Sequence, residues 1–337
     1  MTETVVVTGA SAGIGRSVAR AYARRGARLA LLARGAAGLA GAERECRELG
    51  AADVLTVECD VADAGAVIAA ARQIADLLGE PDIWVNNAMV SVFSQVWDTT
   101  AAEYRRVTEV NYLGTVHGTL AALRTMRQRG RGTIVQVGSA LAYRGIPLQA
   151  PYCAAKHAIE GFVESLRAEL LHESSGVRVT MVALPAVNTP QFSWVRTRLP
   201  RHPQPIPPII QPEVAADAIV WAGDHAPREL NVGWPTLETR FANTLAPGLV
   251  DRYLARKGYA AQQTGDPVDL RTWRDNVDKP ADAERDFGAH GVFDDRASER
   301  SLALWAVTHK PIVVAAVALA GTAAALGAVG RRFARQS

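Results

Sequence analysis

The sequence predicts an α/β fold with a doubly wound parallel sheet covered by helices on both faces. Two observations carry this. From the start of the chain to about residue 250, short β-branched runs alternate with amphipathic stretches, the pattern of strands joined by crossover helices. A glycine-rich turn also joins the first of these runs to the first helix. With 337 residues, 48% of them hydrophobic, the chain can bury a sizeable core.

The elements follow in order. "TVVVTG" (4–9) reads as a strand, and "GRSVARAYARRG" (15–26) as a helix ended by Gly26. "ARLALLAR" (27–34) is a second strand, followed by a charged helix. "DVLTVECDV" (53–61) is a third strand and 64–78 another helix. "DIWVNNA" (82–88) is a fourth strand. Residues 101–130 form one long helical pattern, "GTIVQVGS" (132–139) a strand, and "VRVTMVALP" (177–185) another. In the helix opening near Ala150, Ile159, Phe162, Val163, Leu166 and Leu170 recur at three- and four-residue spacing. "RELNVGW" (228–234) adds a possible last strand.

Two later regions break the rhythm. Residues 189–213 are proline-rich and cannot be a regular helix or central strand. Residues 251–305 are rich in Asp, Arg, Gly and Gln, and read as an extension of weak regular structure, packed on the domain or partly disordered. The expected organisation is a catalytic domain over 1–250, a polar extension over 251–305 and an apolar helix over 306–332.

Composition narrows the function. A net charge of +3, with no compact basic run interleaved with aromatics, argues against a nucleic-acid binder. Cys46, Cys59 and Cys153 have no CxxC spacing and no histidine cluster nearby, so neither a disulfide framework nor a metal site is expected. The chain opens directly into its first strand without a secretory pattern, and a cytoplasmic catalytic domain is expected.

The first turn, "TGASAGIGR", sets Gly9, Gly13 and Gly15 between a strand and a helix. Glycines there let a pyrophosphate approach the backbone, and the helix start presents free N–H groups and a positive dipole end. An ordinary strand–helix turn needs fewer glycines, so a dinucleotide site is the better reading. The spacing is GxxxGxG, and here the sequence resembles the short-chain dehydrogenase/reductase family, with a Rossmann-type domain. The motifs occur in order: "TGASAGIG", "CDV" with Asp60, "NNA" with Asn86, "EVNYLG" with Asn111, "VGSA" with Ser139, then Tyr152, Lys156 and "LPAVNTP". The resemblance implies a homodimer or homotetramer pairing the helices at 101–130 and 152–172.

The second strand ends in Ala33-Arg34, with no acid before Glu43. An arginine fork suits a 2′-phosphate, whereas a carboxylate would repel it, so NADP(H) is expected over NAD(H). The resemblance adds the Ser11 hydroxyl at the same 2′-phosphate, Asp60 and Val61 at the adenine, Asn86 near the adenosine ribose and Val187 and Thr189 at the nicotinamide carboxamide, with Ile14, Ala88 and Pro185 among the further cofactor contacts.

Tyr152 and Lys156 lie four residues apart, side by side on a helix. A phenol with its ordinary value near 10 is a sluggish base, and a neighbouring cation favours its phenolate. The resemblance makes Tyr152 the acid/base, Lys156 the partner of the nicotinamide ribose, Ser139 the donor to the substrate oxygen and Asn111 the holder of a relay water. Two departures stand out. Met89 follows "NNA" where the family has glycine, which strains the backbone if an unusual angle is needed, and Ala186 follows Pro185 where the family has glycine. Cys153 and His157 lack a partnering constellation, and are read as a small core residue and a helix-face residue.

The segment 189–213 lies where the family carries its substrate lid. Phe192, Trp194, Leu199, Ile206, Ile209 and Ile210 offer an apolar lining, or simply pack the lid down. Arg196, Arg198 and Arg201 are expected in solvent. The 18 uncharged residues Ile312–Val329 would span roughly 27 Å as a helix and suggest membrane contact. A soluble helix docked on the domain or a partner is the other reading. The leading function is an NADP(H)-dependent carbonyl/alcohol oxidoreductase acting on a small, apolar molecule. The alternatives are a membrane-associated NADP(H)-binding regulatory or scaffold protein with little turnover, and a soluble acyl-carrier reductase.

Overall fold

The computed structural model describes residues 2–309. The apolar stretch 312–329 lies outside them. Among the described residues no helix is long and apolar enough to cross a membrane.

Seven parallel strands form the central sheet: β1 (Thr4–Thr8), β2 (Arg28–Ala33), β3 (Asp53–Glu58), β4 (Ile83–Asn86), β5 (Gly132–Ser139), β6 (Val177–Leu184) and β7 (Glu229–Asn231). Their order is β7-β6-β5-β4-β1-β2-β3, a doubly wound Rossmann-type arrangement. The direction of winding reverses between β1 and β4, where the two strands pair Val5 with Ile83 and Val7 with Val85. A crevice opens there, beyond the carboxyl ends of the strands.

Alternation along the strands feeds both faces. Val5 and Val7 of β1 point with Leu29 and Leu31 of β2 to one face, where Val18 and Tyr22 of α1 (Gly13–Ala23) and Ile219 of a later helix cover them. Val6, Ala30, Leu32 and Trp84 point to the other face, against Ile74 of α3 (Ala64–Leu78) and the helices that follow. Helix α2 (Ala36–Glu48) flanks α1. Each such valine or leucine, fully buried, contributes about 1.5–3 kcal/mol.

The long helical pattern at 101–130 is interrupted. It begins as α4 (Ala101–Val107), opened by a Thr100–Glu103 capping box. It widens into a π-helical turn over Thr108–Leu113 and resumes as α5 (Gly114–Arg129). The turn brings Gly114 so close to Val61 that a Cβ would sit 2.6 Å from its Cγ2. Helix α6 (Ala150–His172) starts with proline in its first turn, as helices tolerate. Helix α7 (Pro212–His225) carries Ile219.

The extension has little regular structure and packs on the domain, one of the two readings its composition left open. α8 (Trp234–Leu245) precedes the expected boundary at 250, and α9 (Pro247–Lys257) crosses it. Beyond them Gln263–Pro267 pairs antiparallel with Arg201–Pro203, and Ala297–Ser298 pairs parallel with Ile209–Ile210. Val277 and Gln262 are completely buried. Polar side chains of the extension make long-range bonds to the rest of the domain. One example is Gln262, whose Nε2 donates to the Pro147 carbonyl at 2.8 Å and whose Oε1 accepts from Gln149 Nε2 at 2.7 Å. The chain then reaches α10 (Leu302–Thr308).

Candidate functional site

A cleft of about 870 Å³ runs along the carboxyl ends of β1, β4, β5 and β6. Its floor includes Gly9, Ser11, Gly13, Ile14, Arg34, Asp60, Val61, Ala88, Ser139, Tyr152, Lys156, Pro185, Val187 and Thr189. These are the expected site residues except Gly15, Asn86 and Asn111, which stand behind the surface.

The glycine turn is shaped by close approach. Gly9 and Gly13 have φ of +66° and +58°, which a side chain rarely adopts. A Cβ on Gly9 would lie 2.8 Å from the Ala88 Cα, and one on Gly15 only 2.2 Å from the Gly9 carbonyl oxygen. Gly15 thus lets helix α1 meet the turn and does not itself face the cleft. The N-terminus of α1 is aimed at the crevice without a capping side chain; the Gly13 N–H is taken by the Gly288 carbonyl at 3.1 Å, so the N–H groups that follow it are the ones left for an anion.

Asn86 lies elsewhere than expected. Its Oδ1 accepts from Trp84 Nε1 at 3.0 Å, and its Nδ2 donates to Gln136 Oε1 at 2.9 Å and Thr119 Oγ1 at 3.1 Å, inside the protein. Strand alternation hands the cleft to its neighbour. Asn87 donates through Nδ2 to the Thr8 carbonyl at 2.9 Å and through its backbone N–H to Thr8 Oγ1 at 2.9 Å, tying β4 to the glycine turn. The doubled asparagine in "NNA" held this ambiguity.

Asn111 sits in the π-helical turn, buried, and its amide clamps Val90. Its Oδ1 accepts from the Val90 N–H at 2.8 Å and its Nδ2 donates to the Val90 carbonyl at 2.9 Å. The side chain fixes the loop after β4, so a water relay through Asn111 would rest on its backbone carbonyl, which accepts from Thr115 Oγ1.

Ser139 ends β5 while Tyr152 and Lys156 open α6, and all three face the same cleft. Lys156 Nζ donates to the Val137 carbonyl at 2.7 Å and lies 5.5 Å from the centre of the Tyr152 ring. Burial pushes the ammonium down to about 8. Burial also pushes the Tyr152 phenol up to about 12, with the Ser139 hydroxyl drawing it back. The sequence argument has the cation lowering the phenol below its ordinary value. In the structure burial decides both shifts, because it penalises the charged form of each group, and the group that draws the phenol back is Ser139.

At the other end Asp60 is ion-paired with Arg106 and accepts from the Ala62 N–H at 3.0 Å. Burial would raise its carboxyl, but the Arg106 hydrogen bond and the Ala62 N–H hold it below the usual range. Arg34 lies 4.0 Å from Asp60, and its guanidinium donates to the carbonyls of Val277, at 3.2 Å, and Asn276. Arg106, on α4, and the segment around 276–282 carry no local motif, and the sequence reading missed them.

Neither departure from the family pattern strains the chain. Among the described residues Leu148, Ser174 and Ala226 are the positive-φ positions outside glycine, so Met89 and Ala186 need no glycine conformation. Cys153 is buried, its thiol pushed up to about 11 by burial, while His157 is exposed and bonds the Cys153 carbonyl. Phe192, Trp194 and Ile206 line the cleft, whereas Leu199, Ile209 and Ile210 are buried. Arg198 and Arg201 are exposed, as expected, whereas Arg196 is half-buried. Arg196 pairs with Asp275 at 3.0 Å and Asp278 at 2.7 Å, and Arg198 with Glu103 at 2.8 Å, pinning the lid to α4 and the extension.

Residues 3–199 match the short chain dehydrogenase family. The chain is 32% identical over 318 residues to the uncharacterized oxidoreductase YxnA of Bacillus subtilis (strain 168), covering 94% of this chain and 87% of that one. It is 41% identical over 174 residues to human dehydrogenase/reductase SDR family member 7, about half of each chain (50% and 51%). Among solved structures it resembles an alcohol dehydrogenase from the archaeon Thermococcus sibiricus complexed with 5-hydroxy-NADP. The TM-score is 0.59 at 28% identity, over 69% of this chain and 96% of that one. Matched by the family over more than half its length and by one relative over most of it, this chain belongs to the short-chain dehydrogenase family of oxidoreductases.

Proposed function

We propose that this protein interconverts a carbonyl and an alcohol by hydride transfer with NADP(H), with Tyr152 as the acid/base. The observation that carries the reading is the convergence of Ser139, Tyr152 and Lys156 on one cleft with the glycine turn. The donor set fits a dinucleotide: a turn lining the cleft whose Gly9 and Gly13 take positive φ, a helix start without a capping side chain and a buried lysine. Gly9, Ser11, Gly13 and Ile14 would hold the phosphates, Arg34 the adenosine side and Lys156 the nicotinamide ribose. The bound nicotinamide supplies or accepts the hydride.

The chain's own groups handle the proton and the developing charge. In the reductive direction Tyr152 gives its phenolic proton to the substrate oxygen. Ser139 donates a hydrogen bond to the same oxygen as negative charge grows there. Lys156, cationic below about pH 8, offsets the phenolate that Tyr152 becomes. Phe192, Trp194, Ile206 and Leu249 give the wider part of the cleft an apolar wall, which favours an apolar carbonyl compound. Self-association through α5 and α6 belongs to the same proposal, since Leu120 and Leu171 stand exposed on them. Light scattering on the purified chain tests that part. The function itself is tested by turnover of a broad ketone and aldehyde panel with NADPH, followed by loss of the dinucleotide absorbance, in wild type and Tyr152→Phe. No turnover of any panel member by wild type, with NADPH bound, would favour the regulatory or scaffold role.

A further inference from the structure

The strand β2 offers no carboxylate to a ribose, yet one stands at its end. Asp282 reaches it from the extension. The segment 276–291 lies along the β2–α2 turn as a strap held by backbone bonds: Gly38 N–H to the Asp282 carbonyl at 3.1 Å, Ala37 N–H to Ala283 at 3.2 Å, and Gly13 N–H to Gly288 at 3.1 Å. It is also held by Arg16, which is completely buried and pairs with Glu45 at 2.9 Å and Asp286 at 3.1 Å. Three glycines at three-residue intervals make room. A Cβ on Gly35 would lie 1.9 Å from Asp282 Oδ1, one on Gly38 2.3 Å from Asp282 Oδ2, and one on Gly41 1.9 Å from Asp286 Oδ2.

The Asp282 side chain is therefore part of the wall of the cleft. The residue is 7% exposed and lines the cleft beside Ser11 and Arg34. Among the described residues its carboxylate has no hydrogen-bond or ion-pair partner, although its backbone carbonyl is bonded. A nearly buried, acceptor-only group without a donor is costly, and the open side of this one is the cleft. Arg34, the cation expected at a 2′-phosphate, is meanwhile engaged by the strap through the Asn276 and Val277 carbonyls.

We propose that Asp282 is a specificity-determining residue at the adenosine ribose. Its carboxylate accepts a hydrogen bond from a 2′-hydroxyl and stands against a 2′-phosphate, so it narrows the preference for NADP(H) that Arg34 sets. The inference rests on the dinucleotide reading of the cleft, and its test needs no substrate. Binding of NADPH and NADH to the full chain is measured by dinucleotide fluorescence for wild type and Asp282→Asn, which keeps the shape and removes the charge. Removing a like charge from the phosphate should tighten NADPH about tenfold or more, and losing a charged acceptor should weaken NADH about threefold or more. An unchanged NADPH/NADH affinity ratio, or weaker NADPH in Asp282→Asn, overturns the assignment.

If Asp282→Asn fails to fold, Arg34→Leu decides the point with the acid in place. NADH must then bind more tightly than NADPH, and NADPH binding at least as tightly as NADH overturns the assignment. If wild type binds neither dinucleotide, the reading of the cleft falls and this inference with it. If both bind but no panel carbonyl is reduced, the proposed chemistry falls while the assignment of Asp282 is still decided by the affinities.

Discussion

The two ends of the cleft are built in different ways. At the inner end Ser139, Tyr152 and Lys156 come from the end of β5 and the first turns of α6. At the outer end Arg34 and Asp60 are completed by Arg106 from α4 and by a strap more than two hundred residues further on. The inner end is fixed by neighbouring elements of one sheet, so its geometry follows from local structure. The outer end depends on packing between distant segments, and its charge balance is decided by what the extension brings.

Substitutions at the inner end should be felt mainly in turnover. Lys156→Met removes the cation beside the phenol and, in the proposed mechanism, its ribose contact, with an expected loss of about 10³-fold in kcat/KM. A fall of less than tenfold in steady-state assays would detach Lys156 from the chemistry. Ser139→Ala removes the donor proposed for the substrate oxygen, and kcat should fall about 10²-fold with cofactor affinity unchanged. An equal loss in dinucleotide binding would mean that the serine shapes the site rather than acts in it.

The pH profile sharpens the same contrast. In the proposed mechanism reduction needs the Tyr152 proton, retained up to about 12, and the Lys156 cation, present below about 8. The kcat/KM for the cofactor, which reports the free enzyme, should therefore be level below about 8 and fall above it. A profile that stays flat to pH 10 contradicts the depressed lysine.

The smallest effect belongs to the lid. Arg196→Ala breaks pairs with Asp275 and Asp278 and leaves the buried Glu103 with less countercharge. A stability loss of about 1–2 kcal/mol in urea unfolding is expected. A substrate KM raised several-fold, with kcat nearly held, should accompany it. Unchanged KM would show that the lid does not need these pins.

What was legible in the sequence follows the same division. The seven strands and their helices could be read because alternation and helical spacing are local signals. Ser139, Tyr152 and Lys156 could be read because they come with those elements. Asn86 and Asn87 were confused because facing is a property of strand register, which one residue reverses. The interruption of 101–130 escaped because a π-helical turn keeps an apolar helical pattern. The strap escaped entirely, since no pattern in "DKPADAERD" announces Gly35 and Gly38 as its partners. Arg34 was read with weight placed on a missing acid, and the acid is supplied from elsewhere in the chain.

The central claim is that Tyr152 delivers the proton beside the reacting carbonyl. It is tested most directly by single-turnover reduction of a competent carbonyl by prebound NADPH in wild type and Tyr152→Phe, with NADPH affinity measured on both. A rate lower by about 10³-fold at matched cofactor affinity is the result expected of a lost general acid. A Tyr152→Phe enzyme that reduces the substrate within tenfold of wild type would contradict it.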